Sequence, residues 1–227
     1  MIKKFLFITF LWITTLANAQ INEAGFFLGG SNYIGDIGST NYINPNNFAA
    51  GIIYKYNLNP RIALRGTFTY AEIKSDDLDS KNIARQQRNL KFSNSIKELA
   101  VGVEFSFYDY DLSSQDDTFT PYLLLEFAMF NYNVAAIEYS PNNYGYENKT
   151  SYSIPFGVGY KTKLFGPIAL GLEVGVRYTF SDDIDFNNPE IPALEFGNPN
   201  SNDWYVFSGI NLVYTFGRPA CYATPNK

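Results

Sequence analysis

Apolar residues alternate strictly with small or polar residues along the stretch from Ile168 to Phe180, which reads IALGLEVGVRYTF. One set of alternate positions is wholly apolar, whereas the other set carries Glu173 and Arg177. Successive side chains of a β-strand point to opposite faces, so this pattern predicts an extended strand with one apolar face. A strand that crosses a bilayer needs about 9–11 residues, whereas strands of globular proteins usually have about five or six. We therefore predict that this segment is a membrane-spanning β-strand.

Seven further segments show the same period of two, although Leu124 interrupts the alternation in the fifth strand of the series. They are residues 23–30, 48–56, 61–74, 96–108, 121–131, 150–161 and 204–216. The connections between the eight segments alternate in length. The short ones are 57–60, 109–120 and 162–167, and the long ones, rich in Asn, Asp, Ser, Gly and Pro, are 31–47, 75–95, 132–149 and 181–203. Short periplasmic turns and long outer loops are typical of outer-membrane barrels.

This pattern predicts an all-β fold, an eight-stranded antiparallel transmembrane β-barrel that extends over residues 20–217. Lipid requires that every strand edge be paired, and a closed ring of eight strands meets that requirement. An even number of strands places both termini on the same side, which we expect to be the periplasm, and leaves residues 218–227 as a periplasmic tail.

The polar face of the predicted strands carries four acids and four bases. They are Lys55, Arg65, Glu98, Glu104, Glu126, Lys161, Glu173 and Arg177. Placing a Lys or Arg on the lipid face would cost about 2–4 kcal/mol at the bilayer midplane. A soluble eight-stranded barrel would instead bury its apolar face inside. We therefore expect the charges to face inward and form ion pairs that plug a lumen with little room for anything else.

The first nineteen residues are predicted to be a signal peptide. Lys3 and Lys4 precede an apolar run that is too short for a membrane helix, and Ala17-Asn18-Ala19 forms a cleavage site before Gln20. The chain carries a net charge of −5 and has no dominant basic patch, which argues against a nucleic-acid partner. These features indicate an exported protein of the outer membrane.

The sequence contains no histidine, which removes His-based triads and makes an enzymatic role improbable. The spacing Asp183-x-Asp185-x-Asn187 begins like a calcium-binding loop, but Asn188 replaces the required Gly and Leu194 stands where the bidentate Glu belongs. We therefore expect neither a cofactor nor a bound metal.

Lys81, Arg85, Arg88 and Lys91 form a basic cluster in the second long connection, with a spacing that resembles one face of a short helix. A solvated face is the default interpretation, and contact with lipopolysaccharide phosphates is a further hypothesis.

Cys221 is the one cysteine of the chain and lies in the predicted periplasmic tail. An unpaired thiol in an exported protein suggests an intermolecular disulfide or a reactive thiol, and an idle cysteine is the alternative.

Several motifs resemble those of the PorG-like outer-membrane β-barrel family of Bacteroidetes, a family of the DUF6089 type. The resemblance starts with EAGFFLGGSNYIGD at 23–36 and continues in spaced motifs over the whole predicted mature chain. These are Asn59-Pro60-Arg61, Arg88-Asn89-Leu90-x-Phe92, Thr120-Pro121-Tyr122 and Gly217-Arg218-Pro219-x-Cys221.

This resemblance implies a component of the type IX secretion and gliding-motility machinery, associated with a periplasmic ring of a lipoprotein and its partner subunit of the PorK/PorN (GldK/GldN) type. Under this interpretation Cys221, with Arg218 and Tyr222 beside it, is the candidate attachment point for the ring. The alternative is a free-standing barrel of the OmpA/OmpX type that acts in envelope integrity or surface adhesion through its long loops.

Overall fold

A computed structural model describes residues 22–110, 118–140, 143–198 and 201–217. Eight long strands account for most of these residues. The strands are β1 (Asn22–Ile34), β2 (Asn47–Asn57), β3 (Ile62–Asp76), β4 (Lys91–Ser106), β5 (Phe119–Ser140), β6 (Asn143–Phe165), β7 (Ile168–Thr179) and β8 (Trp204–Phe216). The described parts of the connections contain one short helix, α1 (Ile83–Arg88), and 3-10 turns at Asp77–Asp79 and Pro192–Leu194.

Each strand pairs in antiparallel fashion with its neighbours in sequence, and β1 pairs with β8 to close the ring. The closing register joins Asn22 to Phe216 at one end and Ile34 to Trp204 at the other. Thirteen residue pairs therefore leave no open edge at the seam. The predicted eight-stranded antiparallel barrel is confirmed.

The two ends of the barrel differ in their connections. The end at which β1 begins and β8 finishes carries the connections 58–61, 107–118 and 166–167, and we refer to it as the terminal end. The opposite end carries 35–46, 77–90 and 180–203, and we refer to it as the loop end.

One predicted connection, 132–149, is wrong. Its residues continue β5 and β6 into a hairpin that extends beyond the barrel wall, with register shifts near Ile137 and Ser140. The last pair between β4 and β5 is Lys97 with Asn131, and the last between β6 and β7 is Ser153 with Thr179. Residues 132–140 and 143–152 therefore form a two-stranded projection, the β5–β6 ribbon. Its Val, Ile and Tyr residues favour strand structure despite the surrounding Asn and Gly.

The two faces of the barrel have the predicted inside-out chemistry. Leu172 is 56% exposed on the outer wall, whereas its neighbours Glu173 and Arg177 are buried inside. The apolar face of β4 points outward in the same way, with Leu99 and Val101 exposed. Such a surface suits hydrocarbon and would be poorly suited to water. None of the helices in the described ranges has the length and hydropathy to span a bilayer.

The lumen is filled in two layers. Towards the terminal end lie the charged side chains, together with Leu124, the residue that interrupts the alternation in β5. Towards the loop end lies an apolar and aromatic core, to which the wall strands contribute most side chains. Its larger members are Phe27, Tyr33, Ile73, Phe92, Ile96, Phe130, Tyr132, Tyr205 and Phe207, with Ile37 and Ile184 from the connections.

The outward position of Leu172 can be tested in phospholipid vesicles. Leu172→Lys should lower the free energy of unfolding by about 2–4 kcal/mol, because the ammonium would lie in hydrocarbon. Ile137→Lys, on the equally exposed β5–β6 ribbon beyond the wall, should change it by less than about 0.5 kcal/mol. Urea titrations monitored by heat-modified electrophoretic mobility would measure both. Equal, small effects would contradict the membrane assignment.

Candidate functional site

The eight charged residues predicted for the lumen all lie inside the barrel, and none is more than 6% exposed. Six of the strands contribute them. This arrangement follows from the alternation of side chains along each strand. Each of these residues occupies one of the alternate positions that point away from the lipid-facing side of its strand.

Glu104 is the central anion of the lumen. One of its carboxylate oxygens lies 2.6 Å from Lys161 Nζ, and the other lies 2.7 Å from Lys55 Nζ. Arg65 Nη1 approaches the second oxygen at 3.6 Å. Three strands, β2, β3 and β6, thus direct a cation at a single carboxylate that has no exposure to solvent. Removing one partner from such a buried cluster leaves charges without compensation.

Arg65 also binds Glu173, on the opposite wall. The guanidinium makes a two-pronged contact in which Nη2 donates to Glu173 Oε1 at 2.9 Å and Nη1 donates to Oε2. Tyr122 and Asn211 donate to the same Oε2 at 2.7 Å and 3.0 Å. This bidentate contact links β3 to β7 through charge-assisted hydrogen bonds.

A second pair lies nearer the loop end. Arg177 Nε lies 3.4 Å from Glu98 Oε1, and the Tyr205 hydroxyl donates to Glu98 Oε2 at 2.6 Å. The Arg177 guanidinium lies 4.1 Å from the ring centroid of Phe207, a cation–π contact. Arg177 therefore joins the ionic layer to the aromatic core.

Glu126 differs from the other lumenal acids because neither of its buried oxygens has a hydrogen-bond partner. Its nearest cation is Arg65, whose Nε lies 3.7 Å from Oε1. A fifth acid, Glu23 of β1, is fully buried and accepts a hydrogen bond from Asn57 Nδ2 at 2.8 Å. Among the described residues, the ionic layer towards the terminal end therefore contains five carboxyl groups and four cations, and Glu126 is the acid whose buried oxygens accept no hydrogen bond.

Sequence reasoning missed Glu23, Tyr122, Tyr205 and Asn211 as members of the network. Each occupies an inward position of its strand, so the alternation that identified the charged set could also have found these four. Their roles could not be inferred, because their partners lie on strands distant in sequence.

The basic cluster predicted in the second connection is not one helical face. Only Arg85 and Arg88 belong to α1, whereas Lys81 precedes the helix and Lys91 begins β4. Both arginines are engaged: Arg85 Nη1 donates to the Gly38 carbonyl at 2.8 Å, and Arg88 Nε donates to Asp77 at 2.8 Å. Burial disfavours the charged form of Asp77, but hydrogen bonds from Arg88 and two backbone amides lower its pKa.

The interpretation of these four residues as one basic face is therefore corrected, because the arginines bind the chain itself. Lys81 and Lys91 are exposed at the loop end. Lipopolysaccharide contact stays a prediction that now depends mainly on these two lysines.

Cys221, Arg218 and Tyr222 lie outside the described residues, as does the predicted signal peptide. The described residues contain no group of three His, Cys, Asp or Glu side chains that could hold a metal ion. The chemistry that the lumen supports is internal charge compensation.

A family model described as a domain of unknown function, DUF6089, matches residues 2–225. The chain belongs to the DUF6089 family. This confirms the family type that the sequence motifs indicate, and leaves the PorG-like assignment as a proposal. No curated protein matches the chain by sequence.

Several solved outer-membrane barrels have a similar fold at low sequence identity. Neisserial surface protein A is 13% identical with a TM-score of 0.49, over 88% of this chain and 98% of that chain. Ail of Yersinia pestis is 10% identical with a TM-score of 0.46, over 87% and 99%. The N-terminal β-barrel domain of Pseudomonas aeruginosa OprF is 12% identical with a TM-score of 0.42, over 88% and 98%.

The ionic layer can be tested with two carboxyl-to-amide changes. Glu104→Gln should lower the free energy of unfolding by about 3–5 kcal/mol, because it leaves Lys55, Lys161 and Arg65 around a neutral group. Glu126→Gln is the matched control and should be neutral or slightly stabilising, since it removes an anion with no hydrogen-bond partner. Urea unfolding of the folded barrel in detergent micelles would measure both. Equal losses for the two variants would contradict this view of the network.

Proposed function

We propose that this DUF6089 barrel is an outer-membrane component of the type IX protein secretion and gliding-motility machinery, which anchors or positions a periplasmic ring. The ring would consist of a lipoprotein and its partner subunit of the PorK/PorN (GldK/GldN) type. The proposal rests on the PorG-like motifs along the chain, and it assigns no catalysis to the barrel.

The structural observation that supports an anchoring role, rather than transport through the barrel, is the filled lumen. Glu104, Arg65 and Glu173 bridge opposite walls near the terminal end, and aromatic side chains fill the interior near the loop end. Polar groups in a conducting channel would line water, whereas these groups are buried against one another. A barrel of this kind acts through what binds to its ends.

The terminal end is the proposed attachment side. The pairing of Asn22 with Phe216 brings both ends of the barrel chain to one rim. The tail that follows Phe216 contains Arg218, Cys221 and Tyr222 and therefore starts from that rim. In the proposed orientation the rim faces the periplasm, an oxidising compartment in which a single thiol can form a disulfide with a partner.

The alternative is a free-standing barrel that acts in envelope integrity or surface adhesion. A cleft of about 590 Å³ between the β5–β6 ribbon and segment 180–203 favours it. Lys149, Asp183, Asn188 and Glu190 contribute polar groups to its walls, and Phe180 contributes an aromatic ring.

Deleting the gene distinguishes the two functions. Loss of type IX cargo from the culture medium, restored by the wild-type gene, is the result expected from the secretion proposal. Normal cargo secretion together with increased detergent sensitivity or reduced surface adhesion would favour the alternative.

Cys221→Ser tests the attachment point. Wild-type membranes should give a higher-mass band on non-reducing electrophoresis that contains the ring lipoprotein or its partner subunit, and the band should disappear in the variant and after reduction. Thr224→Ala, with Cys221 retained, controls for general damage to the tail and should preserve the covalent band. Only monomer in native wild-type membranes would contradict a covalent link.

A further inference from the structure

The described residues of segment 180–203, which are 180–198 and 201–203, fold back into the loop end of the barrel. Ile184 is fully buried in the aromatic core, and Asn94 of β4 donates to its carbonyl at 2.8 Å. Phe186 packs edge-on against Phe92, with ring centroids 6.2 Å apart, and against Tyr146 of the β5–β6 ribbon at 4.9 Å. The segment therefore closes the mouth of the barrel as a docked plug.

Two aspartates of this segment meet one tyrosine of the wall. The hydroxyl oxygen of Tyr33 lies 2.9 Å from Asp185 Oδ2 and also contacts Asp203 Oδ1. The remaining carboxyl oxygens accept backbone hydrogen bonds, from Ile184 to Asp203 Oδ2 at 3.0 Å and from Asn187 to Asp185 Oδ1 at 3.1 Å. Both aspartates are 1% exposed.

The number of hydrogen-bond donors in this cluster is one too few for both contacts of the Tyr33 hydroxyl. A phenolic hydroxyl has one hydrogen and can donate to only one carboxylate. The Asp36 backbone amide already donates to the Tyr33 oxygen at 3.3 Å, so it supplies nothing to the second aspartate. The second contact is therefore a hydrogen bond only when one of the two carboxyl groups is protonated and donates to Tyr33 itself.

The surrounding charges do not remove this requirement. Asp36, from the connection after β1, and Asp182, from the same segment, add negative charge close by. Arg88 of α1 is a cation that faces these acids, and it already pairs with Asp77 at 2.8 Å. The neighbouring Asp183 is likewise paired with Lys149 and accepts a hydrogen bond from Tyr132.

These conditions favour the protonated cluster in the folded protein. Burial, and then the neighbouring acids Asp36 and Asp182, raise the pKa of Asp185 to about 7. Burial and the charge of Asp185 hold the pKa of Asp203 well above its usual range. Because the folded pKa values exceed the ordinary value of about 3.9, this contribution to stability is complete at acidic pH and is lost as pH rises through the raised values.

We propose that Tyr33, Asp185 and Asp203 form a proton-dependent latch, which holds segment 180–203 in the mouth of the barrel while one proton is shared and releases it when that proton is lost. Without the proton, two buried carboxylates compete for one hydroxyl hydrogen, and both lie beside further acids. The segment regains solvation by leaving its site, and the loop end of the lumen opens. This inference does not depend on the proposed role in secretion.

The latch can be tested by hydrogen–deuterium exchange on the full folded barrel in detergent micelles. Backbone amides of segment 180–203 should be protected at about pH 5.5 and should exchange about ten-fold faster at about pH 8.5, after correction for the intrinsic pH dependence of exchange. Amides of the wall strand β7 provide the internal reference and should remain protected at both values. Corrected exchange of the segment that does not change with pH would overturn the proposal.

Asp203→Asn separates the shared proton from other effects of pH. The amide can donate to the Tyr33 oxygen and still accept from Ile184 without titrating, so the segment should stay protected at both pH values. Asp185→Asn should behave in the same way and serves if the first variant does not fold. Glu190→Gln removes a charge from an exposed position of the same segment and should retain the wild-type response. Full retention of that response in both asparagine variants would disprove the latch.

Discussion

The pairing of β1 with β8 is the constraint on which the rest of the structure depends. Backbone amides and carbonyls have no water to bind within hydrocarbon, so the ring must close. Closure divides the side chains of every strand into an outer and an inner set, because successive residues point to opposite faces. The outer set meets lipid and is apolar. The polar and charged side chains of the inner set have to find hydrogen-bond and ion-pair partners among themselves inside a narrow lumen. This requirement explains the paired charges.

The inner set meets this requirement in two different ways along the barrel axis. Near the terminal end, Glu104 and Glu173 compensate Lys55, Lys161 and Arg65 across the lumen. In other proteins, replacing such a buried ionic cluster with apolar residues can leave the free energy of unfolding almost unchanged. Stability alone therefore does not require the ionic cluster. What the ionic layer adds is a fixed set of partners between strands. Near the loop end the wall turns aromatic, and the filling is completed by residues from the connections.

Much of this architecture could be predicted from the sequence, because alternation is a local property. Each charged lumenal residue falls on the polar set of alternate positions in its own strand, which places it inside the barrel. Glu173 and Arg177 of β7 are examples. The choice of partners could not be predicted, since Arg65 meets Glu173 through strand tilt and register, which no local pattern encodes. The β5–β6 ribbon was missed because its Asn and Gly residues resemble a loop, whereas pairing between its two strands determines its structure.

The plug formed by segment 180–203 shows a different reason why prediction failed. Its composition, rich in Asn, Asp and Pro, is typical of a solvated loop. Ile184 is a single apolar residue between acids, and no period identifies it as part of a core. It is buried because the aromatic wall offers a site and because Asn94, Tyr33 and backbone amides bind the polar groups that enter with it.

This difference between the two layers determines where the barrel can change shape. The ionic layer is built from side chains of the wall, so it cannot leave without breaking the ring. The plug is attached by one connection at each end and is held by contacts that do not belong to the strand ladder. Local opening has a lower free-energy cost in such a segment than in a closed sheet. We therefore expect local opening to involve the plug at the loop end before it involves the ionic layer.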